Sequence, residues 1–540
     1  MDYILTAAVI LAILPATLVM VCGRSWVRWT LLALLAAPML MVIYTDRHDI
    51  ATTLNIKYIF FVGSLLAILP GAVVLLCERA WIRWAMLGLF LPLLLYDFTA
   101  INFFSHEYYR GTSRGLEVSF VYMVAVAVLL TFTTLKGFRN PVPDWGFRFY
   151  LLYFACGIIS LQNSVKWSYS VFELWKMVMI YLVYLAVYYY LEFSRGDFDI
   201  ILYGLAAVVM VNFVVIILQH LRGIYQVPGL FPHQNSLAMY MTLAGTLFFA
   251  RCFNRVEGRY SLFFFFAFLT ASAILARTYS RGALICYPIG GLVTLIASMR
   301  FHCSVRKLTI VLVLGTLCMI GLLIMLPRII ERFEQAPKSS AQTRKDFAIA
   351  ALNMIKDVPL AGVGINNWGV KINPPYTYSR HREKMGYTED YKDGIVETIY
   401  LLVAAECGLP GLLALLAWFG YYWIIAFRLL RPLRDTPFFF LPAGALGGMT
   451  GVYLQSTLEW VLKQQVNYML IVTIFAGLTY LNKYCREQIR MLKEGREDED
   501  DEDDDDDEDD DEDDEKEPDA PAAEERPGLP APRGPIGERA

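Results

Sequence analysis

Runs of about 17–23 apolar residues recur from residue 3 to residue 482, separated by short polar breaks. An α-helix rises about 1.5 Å per residue and a bilayer's hydrocarbon core is about 30 Å thick, so each run is long enough to cross it. The pattern predicts about fifteen spans, near 3–21, 27–44, 58–77, 81–103, 116–135, 147–162, 171–192, 198–221, 234–251, 260–277, 282–299, 308–326, 397–427, 437–457 and 466–482. The sixth is weak and the thirteenth long, the marks of a broken or tilted helix. The predicted fold class is all-α: a polytopic integral membrane protein with about 15 transmembrane helices, one long external loop and a disordered acidic cytoplasmic tail.

Basic residues in short loops are retained on the cytoplasmic side. Arg24 and Arg28, Arg79 and Arg83, Lys136 and Arg139, Arg195, Arg251 with Arg255 and Arg259, Arg300 with Arg306 and Lys307, and Arg428 with Arg431 and Arg434 all fall in every second loop. Lys483–Arg496 joins them, which puts the N-terminus outside, the C-terminus inside, and makes 327–395 the external loop. Leu11-Ala-Ile-Leu-Pro15 returns as Leu66-Ala-Ile-Leu-Pro70, and Cys22, Arg24, Trp26, Arg28 and Trp29 return as Cys77, Arg79, Trp81, Arg83 and Trp84. That repeat reads as a duplicated helical hairpin. Three regions follow: hairpins over 1–110, a main membrane unit over 111–482, and a cytoplasmic tail over 483–540.

Composition excludes an ordinary soluble enzyme, because 56% of residues are hydrophobic, 18% are charged and the mean hydropathy is +0.45. The net charge of −4 conceals a split between +16 on residues 1–496 and −20 on residues 497–540. Nineteen consecutive acidic residues from Glu497 to Glu515 repel one another and cannot bury a core, so this tail is expected to be disordered.

The cysteines lie singly and the histidines form no metal-binding motif, so neither metal nor redox chemistry is signalled. Ionisable groups beside apolar spans are costly, and four polar places near the predicted outer face therefore stand out. They are Pro228-Gly-Leu-Phe-Pro-His-Gln-Asn235; Arg277-Thr-Tyr-Ser-Arg281-Gly282; Thr343-Arg344-Lys345-Asp346 with the following Gly362-Val-Gly364-Ile-Asn366-Asn367-Trp368; and Glu397-Thr398-Ile-Tyr400-Leu401. Each has a plainer reading. The arginines could anchor lipid headgroups, Glu397 could favour a helix N-terminus, Asn235 could cap one, and Gly-Val-Gly could be a tight loop. Together, however, arginines at helix starts suit a diphosphate, and a shielded carboxylate can accept a proton from a hydroxyl. That combination describes glycosyl transfer from a lipid diphosphate.

The order and spacing of Gly-Leu-Phe-Pro-His-Gln-Asn235-Ser-Leu-Ala, Tyr279-Ser280-Arg281-Gly282-Ala, Arg344 followed by Ile355-Lys-Asp357-Val-Pro359-Leu-Ala-Gly362-Val-Gly364, and Tyr400-Leu401 followed by Glu406-Cys-Gly408-Leu-Pro-Gly411 resemble the O-antigen ligase/polymerase superfamily. The resemblance spans roughly residues 145–480. It implies a glycosyltransferase of the bacterial inner membrane that needs no metal or cofactor. Its partners would be an undecaprenyl-diphosphate-linked glycan donor, a glycan, lipid A core or protein acceptor, and membrane lipids; no nucleic acid is involved. The family's ligases carry a His-Asn type pair nine residues before Gly-x-x-Gly; here the spacing holds, but Glu397-Thr398 occupy the pair's positions. The implied catalytic residues are Glu397 as base with Arg281 and Arg344 on the diphosphate. Asn235, Arg277, Lys345 and Tyr400 are substrate-binding candidates, and His381 is a substitute for the missing histidine. Polymerase and ligase remain alternatives. The rival class is a transporter or flippase of a lipid-linked or anionic substrate, and a purely structural scaffold is the third reading.

Overall fold

Among the described residues, helices occupy most of the apolar runs. The computed structural model describes residues 56–90, 100–103, 115–136, 144–224, 226–253, 258–301, 304–334, 338–379 and 394–504. The first two predicted spans, the first copy of the repeat, His381 and the tail beyond residue 504 lie outside them. The described residues form α1 (Ile56–Cys77), α2 (Ala80–Phe90), β1 (Ala100–Phe103), β2 (Leu116–Ser119), α3 (Phe120–Lys136), α4 (Trp145–Ile159), α5 (Trp167–Ser194), α6 (Asp199–Leu221), α7 (Gln234–Cys252), α8 (Gly258–Thr278) and α9 (Arg281–Met299). They continue with α10 (Val305–Glu334), α11 (Lys338–Asp357), α12 (Trp368–Lys371), α13 (Ile399–Leu429), α14 (Phe440–Gln455) and α15 (Gln465–Asp504). Of these, α5, α6, α9 and α13 are long and apolar enough to cross a membrane.

Three expectations need correction. The fold is mostly helical rather than strictly all-α, because the predicted span 81–103 ends in a strand: Ala100 pairs with Ser119 and Phe103 with Leu116 in an antiparallel ladder. β-Branched Ile101 and Val118 are buried there, and the ladder satisfies backbone groups that a helix would have satisfied internally. The loop expected from residue 327 is partly helix, since α10 continues to Glu334 through Pro327. The acidic run is not wholly without structure, since α15 carries helix as far as Asp504, extending an already nucleated coil.

Two irregular spans have physical causes. The weak sixth one is the short α4, whose first turn is capped by Asp144: its carboxylate accepts from the Phe147 N–H at 3.0 Å, the Thr479 hydroxyl at 2.7 Å and the Tyr422 hydroxyl at 3.1 Å. Asp144→Ala removes the cap and one acceptor shared by the Thr479 and Tyr422 hydroxyls, and is expected to cost about 1–3 kcal/mol, measurable as a lower unfolding temperature in detergent. The long thirteenth span is α13, broken at Gly408.

The packing that matters for function centres on α14, whose sequence Phe-Leu-Pro-Ala-Gly-Ala-Leu-Gly-Gly-Met-Thr-Gly presents small residues on both sides. A Cβ on Gly290 would lie 2.6 Å from the Gly447 carbonyl oxygen, and one on Gly444 2.8 Å from the Leu247 Cα. Backbones therefore touch, the arrangement expected where small residues replace hydrophobic side chains between apolar helices. Cys286 faces Gly451 and Gly290 faces Gly447, so α9 runs antiparallel to α14. Thr242 faces Gly451 and Leu247 faces Gly444, so α7 does too. Both N-termini thus arrive at the C-terminal end of α14. Arg251, at the opposite end of α7, is buried and bonded to Asp199 and the Pro437 carbonyl, each at 3.0 Å, rather than serving only as a topological anchor.

Candidate functional site

The turn after α14, from Ser456 to Glu459, collects the polar places that lie far apart in the sequence. The Asn235 amide, in the first turn of α7, donates to the Glu459 carboxylate. Ile399, the first residue of α13, donates its N–H to the carbonyls of Ser456 at 3.2 Å and Glu459 at 3.3 Å. Glu397, two residues earlier, is bonded to the Arg344 guanidinium through Nε. Arg281 opens α9, and a Cβ on its neighbour Gly282 would sit 3.4 Å from Leu458 and 3.7 Å from Gln455. Tyr279 turns the chain from α8 into α9 with φ of 48°, a left-handed conformation that non-glycine residues hold only under local constraint.

The sequence-predicted residues divide on this geometry. Asn235 is bonded to the turn, Glu397 with its partner Arg344 stands two residues before Ile399, and Arg281 precedes the Gly282 that packs on it. Arg277 closes α8, and its Nη1 is buried without a partner among the described residues. Lys345 faces solvent on α11, beside half-buried Arg344. The Tyr400 hydroxyl donates to the Tyr453 carbonyl at 2.9 Å, which ties α13 to α14. Asn235 does not cap α7; His233 does, its Nδ1 accepting from the Asn235 N–H at 3.2 Å. The N-termini of α7 and α9 add partial positive charge to the arginines, an environment suited to an anion. Among the described residues no group of three His, Cys, Asp or Glu is placed to hold a metal ion.

Sequence reasoning missed two members of this turn. Glu459 is only 7% exposed, and Gln455 is fully buried with neither amide atom partnered among the described residues. Glu459 could have been found by the rule applied elsewhere, since it is an ionisable residue between two apolar runs.

The same segment carries Lys463, which enters a second polar cluster. Its ammonium lies 3.2 Å from Asn366 Oδ1, 3.4 Å from Glu173 and 3.5 Å from Glu406. Lys176 meets Glu173 at 2.5 Å, and the Trp368 N–H donates to Glu406 at 3.3 Å. Two cations and two carboxylates balance, all of them buried. Burial alone would depress the Lys463 ammonium, but Glu173 and Glu406 together raise it above the ordinary lysine range. Glu173 and Glu406 each lie within about two turns of the start of α5 and α13, roughly 10 Å along the axis, so the cluster sits near one end of the bundle.

The Gly362–Trp368 stretch is a clasp across the break in α13. The N–H groups of Val363 and Gly364 donate to the Ala405 and Glu406 carbonyls at 2.9 and 3.1 Å, and the Leu409 N–H donates to the Pro359 carbonyl at 2.7 Å. A broken helix thereby keeps its freed backbone groups paired. Asn366 and Asn367 bind the start of α5, through the Tyr169 carbonyl at 2.7 Å and the Lys166 N–H at 2.9 Å.

Apolar helices that meet arginines and carboxylates at one turn describe a membrane protein with a polar site at one end of its bundle. Residues 266–416, from α8 into α13, match the O-antigen ligase family model. That stretch is therefore similar to the O-antigen ligase family, a likeness that supports glycan transfer of that general type. No curated protein matches the chain.

Proposed function

We propose that this protein transfers or polymerises a glycan from an undecaprenyl diphosphate carrier onto an acceptor hydroxyl at the periplasmic face of a bacterial inner membrane. The observation that supports the reading is the bond from Asn235 to Glu459 in a turn that also holds Ile399, two residues after the Arg344–Glu397 pair, and packs against Gly282, the neighbour of Arg281. The alternating basic loops support many crossings, with the N-terminus outside and the C-terminus in the cytoplasm.

In this reaction the acceptor oxygen attacks the anomeric carbon as the bond to the diphosphate breaks, and the departing electron pair stays on the diphosphate. Arg281 and Arg344 neutralise the developing charge through planar, bidentate donors, with Arg277 and Lys345 as further cations. Arg344 can turn from Glu397 to the donor, because a diphosphate offers more charge than one carboxylate. The acceptor's proton goes to a carboxylate at the turn; Glu397 is the one the family spacing indicates, and Glu459 lies beside the same backbone. The activity requires no metal or cofactor.

The test is mass spectrometry of products from the purified full chain in proteoliposomes given an undecaprenyl-diphosphate oligosaccharide, alone and with candidate acceptors. Extended or transferred glycan is expected, its mass separating polymerase from ligase. Arg281→Ala is expected to lower the rate at least about 100-fold with an unchanged unfolding temperature. Donor that stays intact but crosses the bilayer would establish a transporter instead.

A further inference from the structure

Where α15 leaves the bundle, arginines gather around it, and the acidic run continues beyond its far end. Lys483 on α15 is bonded to Glu192 in the last turn of α5. Arg428 and Arg486 both lie close enough to the Tyr421 hydroxyl to act on it, and Arg195 does the same at Tyr480. Arg486 also acts on Asp144, the cap of α4, whose first turn carries Arg148. Arg148, Arg195, Arg428 and Arg486 are exposed, and none has a carboxylate partner among the described residues. Unbalanced cations grouped beside one helix attract an anion. Length then selects it. From Lys483 to Asp504, α15 rises about 32 Å. Asp505–Glu515, an unbroken acidic segment outside the described residues, spans up to about 36–40 Å when extended. Folded back along α15, that segment passes Arg490 and Arg486 and ends level with Lys483. Its tether keeps it beside the arginines at a high effective concentration.

We propose that Asp505–Glu515 folds back along α15 and docks on Arg148, Arg195, Arg428 and Arg486, an intramolecular cap on that end of the bundle. The proposal is independent of the glycan-transfer reading. Each guanidinium can take one carboxylate through paired donors, while the surplus acidic charge of the segment stays in water. A single exposed pair of this kind contributes little, so the contact depends on several pairs formed together and on the tether. A docked tail also excludes the anionic lipid headgroups that the same guanidiniums would otherwise bind.

The test is carbodiimide coupling of the purified full chain in liposomes, read by mass spectrometry. Arg428→Lys places an amine among the arginines without changing the charge, and the reagent joins that amine only to a carboxylate in contact with it. In phosphatidylcholine at about 0.1 M salt, links from position 428 to Asp505–Glu515 are expected. They should fall at least about fivefold at about 1 M salt, where the Debye length shrinks to about 3 Å. Adding Arg148→Gln, Arg195→Gln and Arg486→Gln should lower them as strongly. Those three side chains are exposed, so the fold is expected to survive, and the unfolding temperature verifies this. Links that persist when about a fifth of the lipid is phosphatidylglycerol support the tail as the occupant. Links lost on that change would place headgroups on the arginines and overturn the proposal. An absence of links would overturn it too, as would links indifferent to salt and to the three substitutions, which a freely moving tail makes by chance collision.

Discussion

Gly408→Ala is expected to destabilise the protein by at least about 4 kcal/mol, so that little folded protein survives extraction. Gly408 holds φ of 73° and ψ of 177°, a region essentially restricted to glycine. A Cβ there would lie 2.4 Å from the Leu360 carbonyl oxygen and 2.6 Å from its carbon, and neither is a side chain that could rotate away. Relief would require the clasp to withdraw, breaking the bonds from Val363, Gly364 and Leu409 that satisfy the break in α13. Gly420→Ala, farther along α13, is the control: nothing lies within 4 Å of its added Cβ. Removing glycine's excess backbone freedom there is worth up to about 1 kcal/mol. The two variants should therefore differ sharply in fluorescence-detected size exclusion and in unfolding temperature. Equal behaviour would mean that the clasp is not tight.

What the chain discloses by periodicity is length and apolarity, and these placed the spans well. The predicted 171–192, 198–221 and 282–299 match α5, α6 and α9 within a few residues at each end. Periodicity could not place the β1–β2 ladder, because Ala100–Phe103 and Leu116–Ser119 are only four residues each and adjoin longer apolar runs. Their pairing depends on a partner distant in sequence. The site was half legible. Arginines and a carboxylate beside apolar runs are visible as local costs, which is why Arg281, Arg344 and Glu397 stood out. Glu459 shows the same local signature, but its significance comes from α7 and α9 both running antiparallel along the glycine-rich α14. That is a tertiary fact which brings Asn235 and Gly282 to one turn. The Gly362–Trp368 stretch was misleading for the complementary reason: its glycines and asparagines resemble a ligand-binding loop, whereas its backbone donors are spent on α13.

Lys463→Met is expected to cost about 3–5 kcal/mol, because it leaves Glu173 and Glu406 buried with Lys176 as the remaining cation of the cluster. A buried pair contributes little net stability compared with apolar packing, but removing one partner leaves a charge that water cannot reach. The double variant Lys463→Met with Glu406→Gln restores the balance of one cation and one carboxylate. It should recover at least half the loss, whereas independent sites would add their costs. The pH dependence has a definite sign. A lysine whose ammonium is raised by folding contributes stability fully below its unfolded pKa of about 10.4 and loses it only as pH rises through the higher folded value. Wild-type stability should therefore show no contribution from Lys463 to its slope between roughly pH 6 and 9. A steep Lys463-dependent fall within that window, seen by comparing wild type with Lys463→Met, would mean that the ammonium is not held by the two carboxylates. Because Lys463 stands four residues from Glu459 on one segment, the substitution should also lower transfer activity in protein that remains folded, and the double variant should restore part of it. Charge balance in the buried cluster and the placement of Glu459, which holds Asn235 and Ile399, are thereby linked through one short segment of backbone.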